Sequence, residues 1–503
     1  MPYIWSYVRN NIRYAEVRTS ERDEAAGFPK SHPMYLGKVI DLKKGIFQNT
    51  KMGFFKYSID SGYQTSDIRD HACQYDFQEK TILDFGASYL LVEFSKIIGF
   101  WDLFRNTLPK WNDSLLALIL YYIETSDSNR DAIRWYRGSV ANVLFPAAQL
   151  PPQRISELLA RLGDEGVERD FFSRYLKILL PRKKRTGIIV DSTGLPNSIH
   201  FPLTAISNHN GEISKEVRLI FVIDTRTGLP ILFRYNAGNI VDITTLKATL
   251  FELEEYGINV KYAILDAGYC SENNIQALYE TGINFLIRLP NNRKIFTDSL
   301  YQYGDDALSD LCRYIYNDRV VGIKTIKTKL YGYNGYVYLC VDYDSRNDQI
   351  KKFTKGAVAD KLPRNQWQTH TDKMGFFALV SSVKIEPENL LPLYYTRQTV
   401  EQVFDISKNV GHIIPLATHN EDTFRGHIMV SFMAIILYLK LNQCFKGHKV
   451  LTAKSALMEM RNLKCKVFDD YMHVKEPTKE MREICAMVGV DLPERIILPI
   501  SQL

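Results

Sequence analysis

The sequence predicts an α/β protein of several domains, centred on a mixed sheet flanked by helices. Two observations carry this. Between residues 187 and 289, apolar runs of strand length alternate with segments of helical period. Ahead of that stretch, residues 87–180 keep helical period, and beyond it a hairpin-rich segment interrupts the alternation. The length of 503 residues suits roughly three domains at ~150 residues each. With 46% hydrophobic and 24% charged residues, a largely disordered or fibrous chain is excluded.

Residues 1–70 read as a small β-rich region with a hairpin across 34–47. Residues 71–186 read as a helical region, with DNA docking as one of two readings of its basic residues. Tyr89, Leu90, Phe94, Ile97 and Ile98 share one helix face, and Ile155, Leu158, Leu159 and Leu162 share another. Pro151-Pro152 opens the latter helix, and Gly163 or Gly166 closes it. Arg154, Arg161, Arg169 and Arg174 accompany these helices, as a solvated face or as a DNA-docking one. The run Arg182, Lys183, Lys184 and Arg185 is the densest basic cluster and directly precedes a strand, which makes it a candidate phosphate contact.

Within residues 187–295, strands are expected at 188–191, 217–223, 229–235, 262–266 and 285–289. Helices are expected from Asp242 to about Tyr256 and over 274–279. Three meandering strands, a helix, a strand, a helix and a strand is the order of a ribonuclease H-like domain. Residues 296–374 read as an inserted β-rich subdomain whose Asn334-Gly335 dipeptide predicts a hairpin turn. Residues 375–445 return to the core, with a strand at 376–380 and a helix starting at Pro392. Residues 446–503 read as helical.

Lysine and arginine outnumber acids 63 to 57, and the resulting +6 is too thin to mark a polyanion binder by itself. Residues 1–14 lack the apolar core of a secretory signal. The apolar run 428–439 falls short of the ~20 residues a bilayer crossing needs, so a buried core helix is expected there. No two of the seven cysteines sit at CxxC spacing, which argues against a zinc ribbon or a disulfide framework and for a reducing, cytoplasmic setting.

The chemistry concentrates in a few residues. Asp191 and Asp266 each follow an apolar strand, so they can meet at one rim of a sheet. A strand-end aspartate alone is more often a turn residue, but two together form a plausible pair of hard oxygen ligands for Mg²⁺ or Mn²⁺. On the helix after Pro392, Tyr394, Arg397, Glu401 and Lys408 follow at spacings of three, four and seven. At ~100° per residue they fall on one face, a carboxylate flanked by two cations and a phenol. Three carboxylates can hold two metal ions ~3.5–4 Å apart for phosphodiester chemistry. Arg397 can grip a phosphate bidentately, and Lys408 can act as a point charge.

The pattern Tyr394-x2-Arg397-x3-Glu401-x6-Lys408 resembles the Tyr-Arg-Glu-Lys signature of DDE transposases in the insertion-sequence-4 superfamily. Asp191-Ser-Thr193, Asp266-Ala-Gly268-Tyr269 and Gly238-Asn239-x2-Asp242 extend the resemblance over residues 187–408. It implies a bacterial, nucleoid-associated enzyme with a ribonuclease H-like core. Such an enzyme cuts the terminal inverted repeats of an insertion sequence and joins the freed 3′ ends to target DNA. It implies two Mg²⁺ (or Mn²⁺) ions held by Asp191, Asp266 and Glu401, and a homodimer assembled on paired double-stranded ends. Tyr394, Arg397 and Lys408 would contact DNA near the cleaved end. Some relatives excise through a DNA hairpin with an aromatic residue holding a flipped base; Trp367, the one tryptophan of the insertion, is the candidate here. Two other readings stand beside this one: a transposase-derived DNA-binding protein that no longer cuts, and a structure-selective nuclease on the same fold. Asp224 reads as a turn residue, and His200, His209, His412 and His419 lack partners at ligand spacing.

Overall fold

The computed structural model describes the chain except residues 1, 10–11, 23–28, 51, 66–80, 126, 181–185, 198–200, 210–211, 241–243, 360–362, 364–366, 410–412, 414–419, 469 and 499–503. The N-terminal region is an antiparallel meander of six strands: β1 (Tyr3–Arg9), β2 (Ile12–Arg22), β3 (Pro29–Asp41), β4 (Ile46–Asn49), β5 (Gly53–Ser58) and β6 (Gly62–Thr65). It has its own small core of Ala15, Val17, Leu36, Phe47 and Phe55. The β3–β4 hairpin covers the expected span 34–47 and runs beyond it at both ends. Asp41 Oδ1 accepts from the amides of Lys43 and Lys44 at 2.9 and 3.0 Å, and Gly45 takes φ 67° to close the turn.

Strand β7 (Thr81–Asp84) leads into helices that include Gly86–Ile97, Asn112–Glu124, Pro152–Leu162 and Glu165–Leu179. Pro152 occupies the first turn of its helix and Gly163 caps it. Asp164 then caps the next helix by accepting from the amides of Gly166 and Val167, so Gly166 lies inside a helix rather than ending one. Arg154 and Arg174 are tied to Glu157 and Asp170 on their own helices.

These helices share one continuous core with the central sheet. The joint is the 24-residue helix Glu421–Cys444, long and apolar enough to cross a bilayer but 94% buried over its most apolar stretch. It is therefore the expected core helix, extended at both ends beyond its apolar run. Its contact with Pro152–Leu162 is backbone-close: a Cβ on Gly426 would lie 1.9 Å from the Leu159 carbonyl oxygen, and one on Gly163 would lie 1.9 Å from that of Asp422. Only glycine admits that approach.

The central sheet comprises β8 (Thr186–Pro196), β9 (Ala205–His209), β10 (Glu212–Asp224), β11 (Pro230–Ala237), β12 (Val260–Leu265), β13 (Asn284–Leu289), β14 (Arg313–Tyr316), β15 (Arg319–Leu330), β16 (Tyr333–Asp342) and β17 (Phe376–Ser381). The order is β11-β10-β8-β12-β13-β17-β16-β15-β14, with β9 paired to β10. Only β8–β12 and β12–β13 are parallel. Helices Leu246–Glu255 and Glu272–Glu280 make the crossovers. The first starts after the expected Asp242, which lies outside the described residues.

Two expectations about residues 296–374 need correction. The insertion is not a separate β subdomain: β17 pairs with both β13 and β16, so its strands prolong the central sheet, and helices Lys294–Leu308 and Tyr343–Ala359 make it half helical. The hairpin turns at Tyr331-Gly332, with φ of 47° and 96°, the two positive values a two-residue primed turn requires. Asn334 and Gly335 lie inside β16. A Cβ on Gly335 would sit 2.7 Å from Tyr279 Oη, whose hydroxyl donates to the Asn334 carbonyl. That glycine serves close packing rather than a turn.

The C-terminal region also departs from an all-helical reading. Besides helices Ala453–Met460 and Lys479–Val488 it holds β18 (Lys464–Val467), β19 (Tyr471–Val474) and β20 (Arg495–Ile497). With β7 these form a sheet of order β20-β19-β18-β7. Cys465 and Val467 are buried while Lys466 is exposed, so the period is two, but over too few residues to be read as a strand.

Glu124 is buried under the helical layer, accepting from Ser88 Oγ at 2.5 Å and Trp135 Nε1 at 3.3 Å. Burial raises its pKa to about 7 against these two hydrogen bonds. The folded value lies above the unfolded one of ~4.3, so its contribution to stability is complete below that pH and is lost as pH rises through 7. Stability is expected to fall by about 1 kcal/mol between pH 6 and 8 from this group. Urea denaturation of Glu124→Gln should show a shallower slope and a gain at pH 8; an unchanged slope would refute the assignment.

Candidate active site

The parallel register Val190↔Leu265 sets the site. The next residues along these neighbouring strands are Asp191 and Asp266, so the two carboxylates stand side by side. Asp266 follows the last residue of β12 and opens the turn Ala267–Tyr269, as expected. Asp191 does not end its strand. β8 continues to Pro196 against β10, with Asp191 opposite Phe221, which buries Asp191 to 8% exposure.

The third segment is not one helix. Helix Pro387–Tyr395 starts five residues before Pro392 and ends at Tyr395; Thr396 and Arg397 form a turn, and helix Gln398–Asn409 follows. The Thr396 hydroxyl donates to the Leu393 carbonyl at 2.7 Å, a side-chain bond that competes with the helical ladder where the helix ends. Tyr394 therefore closes one helix, Arg397 occupies the corner, and Glu401 and Lys408 lie in the first and last turns of the second. Val400, Val403 and Phe404 anchor that second helix in the core, with the Phe404 ring 5.5 Å from Phe221.

The corner places the Arg397 guanidinium among the acids. Nη2 donates to Asp191 Oδ2 at 3.0 Å, Nη1 donates to Asp266 Oδ1 at 2.9 Å, and Nη2 lies 3.6 Å from Glu401 Oε1. Tyr394, itself buried, accepts from Nη1 at 3.4 Å. Arg397 Nε has no hydrogen-bond partner among the described residues. Burial pushes the Asp191 carboxyl upward more than Arg397 draws it down. Burial works against the charge on Arg397 too, but Asp191 and Asp266 outweigh it and hold the guanidinium firmly protonated. Among the described residues no three His, Cys, Asp or Glu side chains stand together as a ready metal cage. The acids are gathered around an internal cation instead.

A cleft of about 380 Å³ opens beside them, lined by Asp266, Arg288, Tyr394, Arg397, Gln398 and Glu401. Arg288 was not foreseen. It is carried on β13 with its guanidinium 4.9 Å from the Phe377 ring. A charged residue inside the apolar run 285–289 is the signal that marks it.

The structure thus brings together Asp191, Asp266, Glu401, Tyr394 and Arg397. Lys408 is exposed seven residues beyond Glu401 and makes none of these contacts. Trp367 is half-buried and packs edge-on against Phe353, with ring centroids 6.0 Å apart. Arg182, Lys183, Lys184 and Arg185 lie outside the described residues, as do His200, His412 and His419. Asp224 is buried and accepts from the Thr227 amide and hydroxyl at 2.9 and 2.6 Å, the turn role expected of it.

The family described as "Transposase DDE domain" matches residues 182–437, just over half of the chain, and spans all three carboxylates. No curated protein matches the chain. Among solved structures, a piggyBac transposase synaptic complex with hairpin DNA is similar at 11% identity and a TM-score of 0.38, over 78% of each chain.

Removing Arg397 leaves the buried Asp191 carboxylate without its cation. Arg397→Ala is expected to cost ~2–4 kcal/mol in urea denaturation, and Asp191→Asn added to it should restore part of the loss. Additive losses in the double variant would rule out the ion pair.

Proposed function

The chain belongs to the DDE transposase family, and on that premise we propose that it cuts the terminal inverted repeats of an insertion sequence and joins the freed 3′ ends to target DNA. The observation that carries this reading is the convergence of Asp191, Asp266 and Glu401 on one position of positive charge. The strand order β11-β10-β8-β12-β13, with crossover helices at β12, supports a ribonuclease H-like core. The spacing of Tyr394, Arg397, Glu401 and Lys408 in the sequence favours the insertion-sequence-4 branch and a bacterial, nucleoid-associated setting.

The donor set fits a divalent metal: three hard carboxylate oxygens already grouped about a cation, which is the chemistry Mg²⁺ or Mn²⁺ prefers. Bound there, two such ions would neutralise charge on the scissile phosphate and raise the nucleophilicity of the attacking oxygen. The chain's own residues do the rest. Arg397 keeps mutually repelling acids together in the free protein, and it must leave them before they can ligate a metal. A DNA phosphate offers its planar fork the alternative bidentate partner. Arg288 at the rim of the cleft and Lys408 further along the helix supply further positive charge for the backbone, and buried Tyr394 orients Arg397 between its two positions. A homodimer gripping paired element ends completes the proposal, with Trp367 as base-stacking candidate and residues 71–186 as an end-binding region.

Purified protein, Mg²⁺ and a duplex ending in the element's inverted repeat should yield a nick at the end and then a product joined to target DNA. Asp191→Ala, Asp266→Ala and Glu401→Ala should each lower cleavage by ~10³-fold or more while end binding persists. Near-normal cutting by any one would sink the ligand assignment. Binding without cutting by the unmodified chain would favour the repressor-like reading, and nicking without joining would favour the nuclease. Without DNA, Arg397→Gln should bind Mn²⁺ about tenfold tighter than the unmodified chain in calorimetric titration, a difference of ~1.4 kcal/mol; equal affinities would remove Arg397 as the metal's competitor.

A further inference from the structure

We propose that the N-terminal sheet is a docking platform for single-stranded DNA, on the face opposite its own core. The site needs neither a metal nor the three carboxylates, so it goes beyond the strand-cutting reading and stands apart from it.

The registers define the face. Trp5 lies opposite Glu16, Tyr7 opposite Tyr14, Glu16 opposite Tyr35 and Tyr14 opposite Lys38, and directly opposed residues share a side of the sheet. Ala15, Val17 and Leu36 point to the other side and form the small core. Trp5, Tyr7, Tyr14 and Tyr35 therefore stand on the open face, and they form a ladder. Trp5 and Tyr7 have centroids 5.0 Å apart, Tyr7 and Tyr14 5.9 Å, and Tyr14 and Tyr35 6.4 Å, each pair within about 30° of parallel. The outer rings are open to solvent, Trp5 at 36% and Tyr35 at 52% exposure.

Charge favours a polyanion. Arg9 and Lys38 are exposed on the aromatic face. Arg18 covers the Trp5 ring at 3.5 Å while its Nε donates to Glu16 at 2.7 Å, which neutralises the acid at the centre of the face. Residues 1–65 hold ten lysines and arginines against six acids, so a segment of +4 accounts for most of the chain's +6.

Exposed rings interleaved with cations are what an unpaired strand recognises: bases stack on the rings at ~1–3 kcal/mol each, and phosphates meet the cations. In a duplex the base faces are already stacked on one another, so the rings have little to offer it and only the cations would meet its backbone.

Fluorescence anisotropy of a short labelled oligothymidylate, in EDTA with the full chain, tests this. Trp5→Ala with Tyr35→Ala removes two exposed rings and should weaken binding roughly 10–100-fold, while binding of a blunt duplex is unchanged. Trp5→Phe alone should keep most of the affinity. Arg9→Gln with Lys38→Gln should weaken binding and flatten its salt dependence. Asp191→Ala should bind like the unmodified chain, so failure of the catalytic reading would leave this result intact. Undiminished oligothymidylate binding by the double ring variant would overturn the proposal, as would an equal loss of duplex binding.

Discussion

Arg397 is the charge around which the candidate active site is assembled. Three carboxylates brought within reach of one another repel strongly in a partly buried setting, and burial alone already disfavours the ionised form of Asp191. A single guanidinium in a two-residue corner answers both problems, because its planar fork reaches two acids at 3.0 Å or less and a third at 3.6 Å. The site is thereby held in an assembled but closed state. In the proposed reaction a DNA phosphate is the competing acceptor that would draw the arginine away from the acids.

Everything that positions this arginine is backbone geometry further in. The Val190↔Leu265 register fixes the two aspartates to neighbouring strands, and the corner at Thr396–Arg397 delivers the guanidinium from above them. The helix that bears Glu401 packs on Phe221 of β10, directly opposite Asp191, so the third acid is referenced to the strand that carries Asp191. Behind these lies Glu421–Cys444, locked to Pro152–Leu162 at two glycines. The helical layer is thus a buttress of the catalytic sheet as much as a region of its own.

Much of this was legible in the residues. Strands buried on both faces, such as Val217–Ile223 within β10, show as continuous apolar runs, and the aspartates after two such runs do meet, although Asp191 lies inside β8 rather than at its end. What escaped has physical causes. The break before Gln398 is invisible to periodicity, because a two-residue corner leaves the spacing of Tyr394, Arg397 and Glu401 intact. The hairpin at Tyr331-Gly332 was masked by the Asn-Gly pair just beyond, whose glycine is needed for close packing against Tyr279. That the inserted strands prolong the central sheet depends on β17 pairing with β13 and β16, a non-local choice no local pattern encodes. The internal ion pairing of Arg397 escaped for the same reason: its partner Asp191 lies 206 residues away.

The pairing of β7 with β18 has a consequence for synthesis. Asp84 and Lys464, joined by an ion pair across that sheet, are 380 residues apart in sequence. A ribosome adding ~5–20 residues per second leaves β7 without its partner for tens of seconds, while the catalytic strands emerge and fold behind it. The edge of β7 is an unfilled template throughout that time. Chains released early would carry both aspartates and even Arg397 yet lack the strand that closes the helical layer. The arrival of β18, rather than the assembly of the three acids, is what gives β7 its partner.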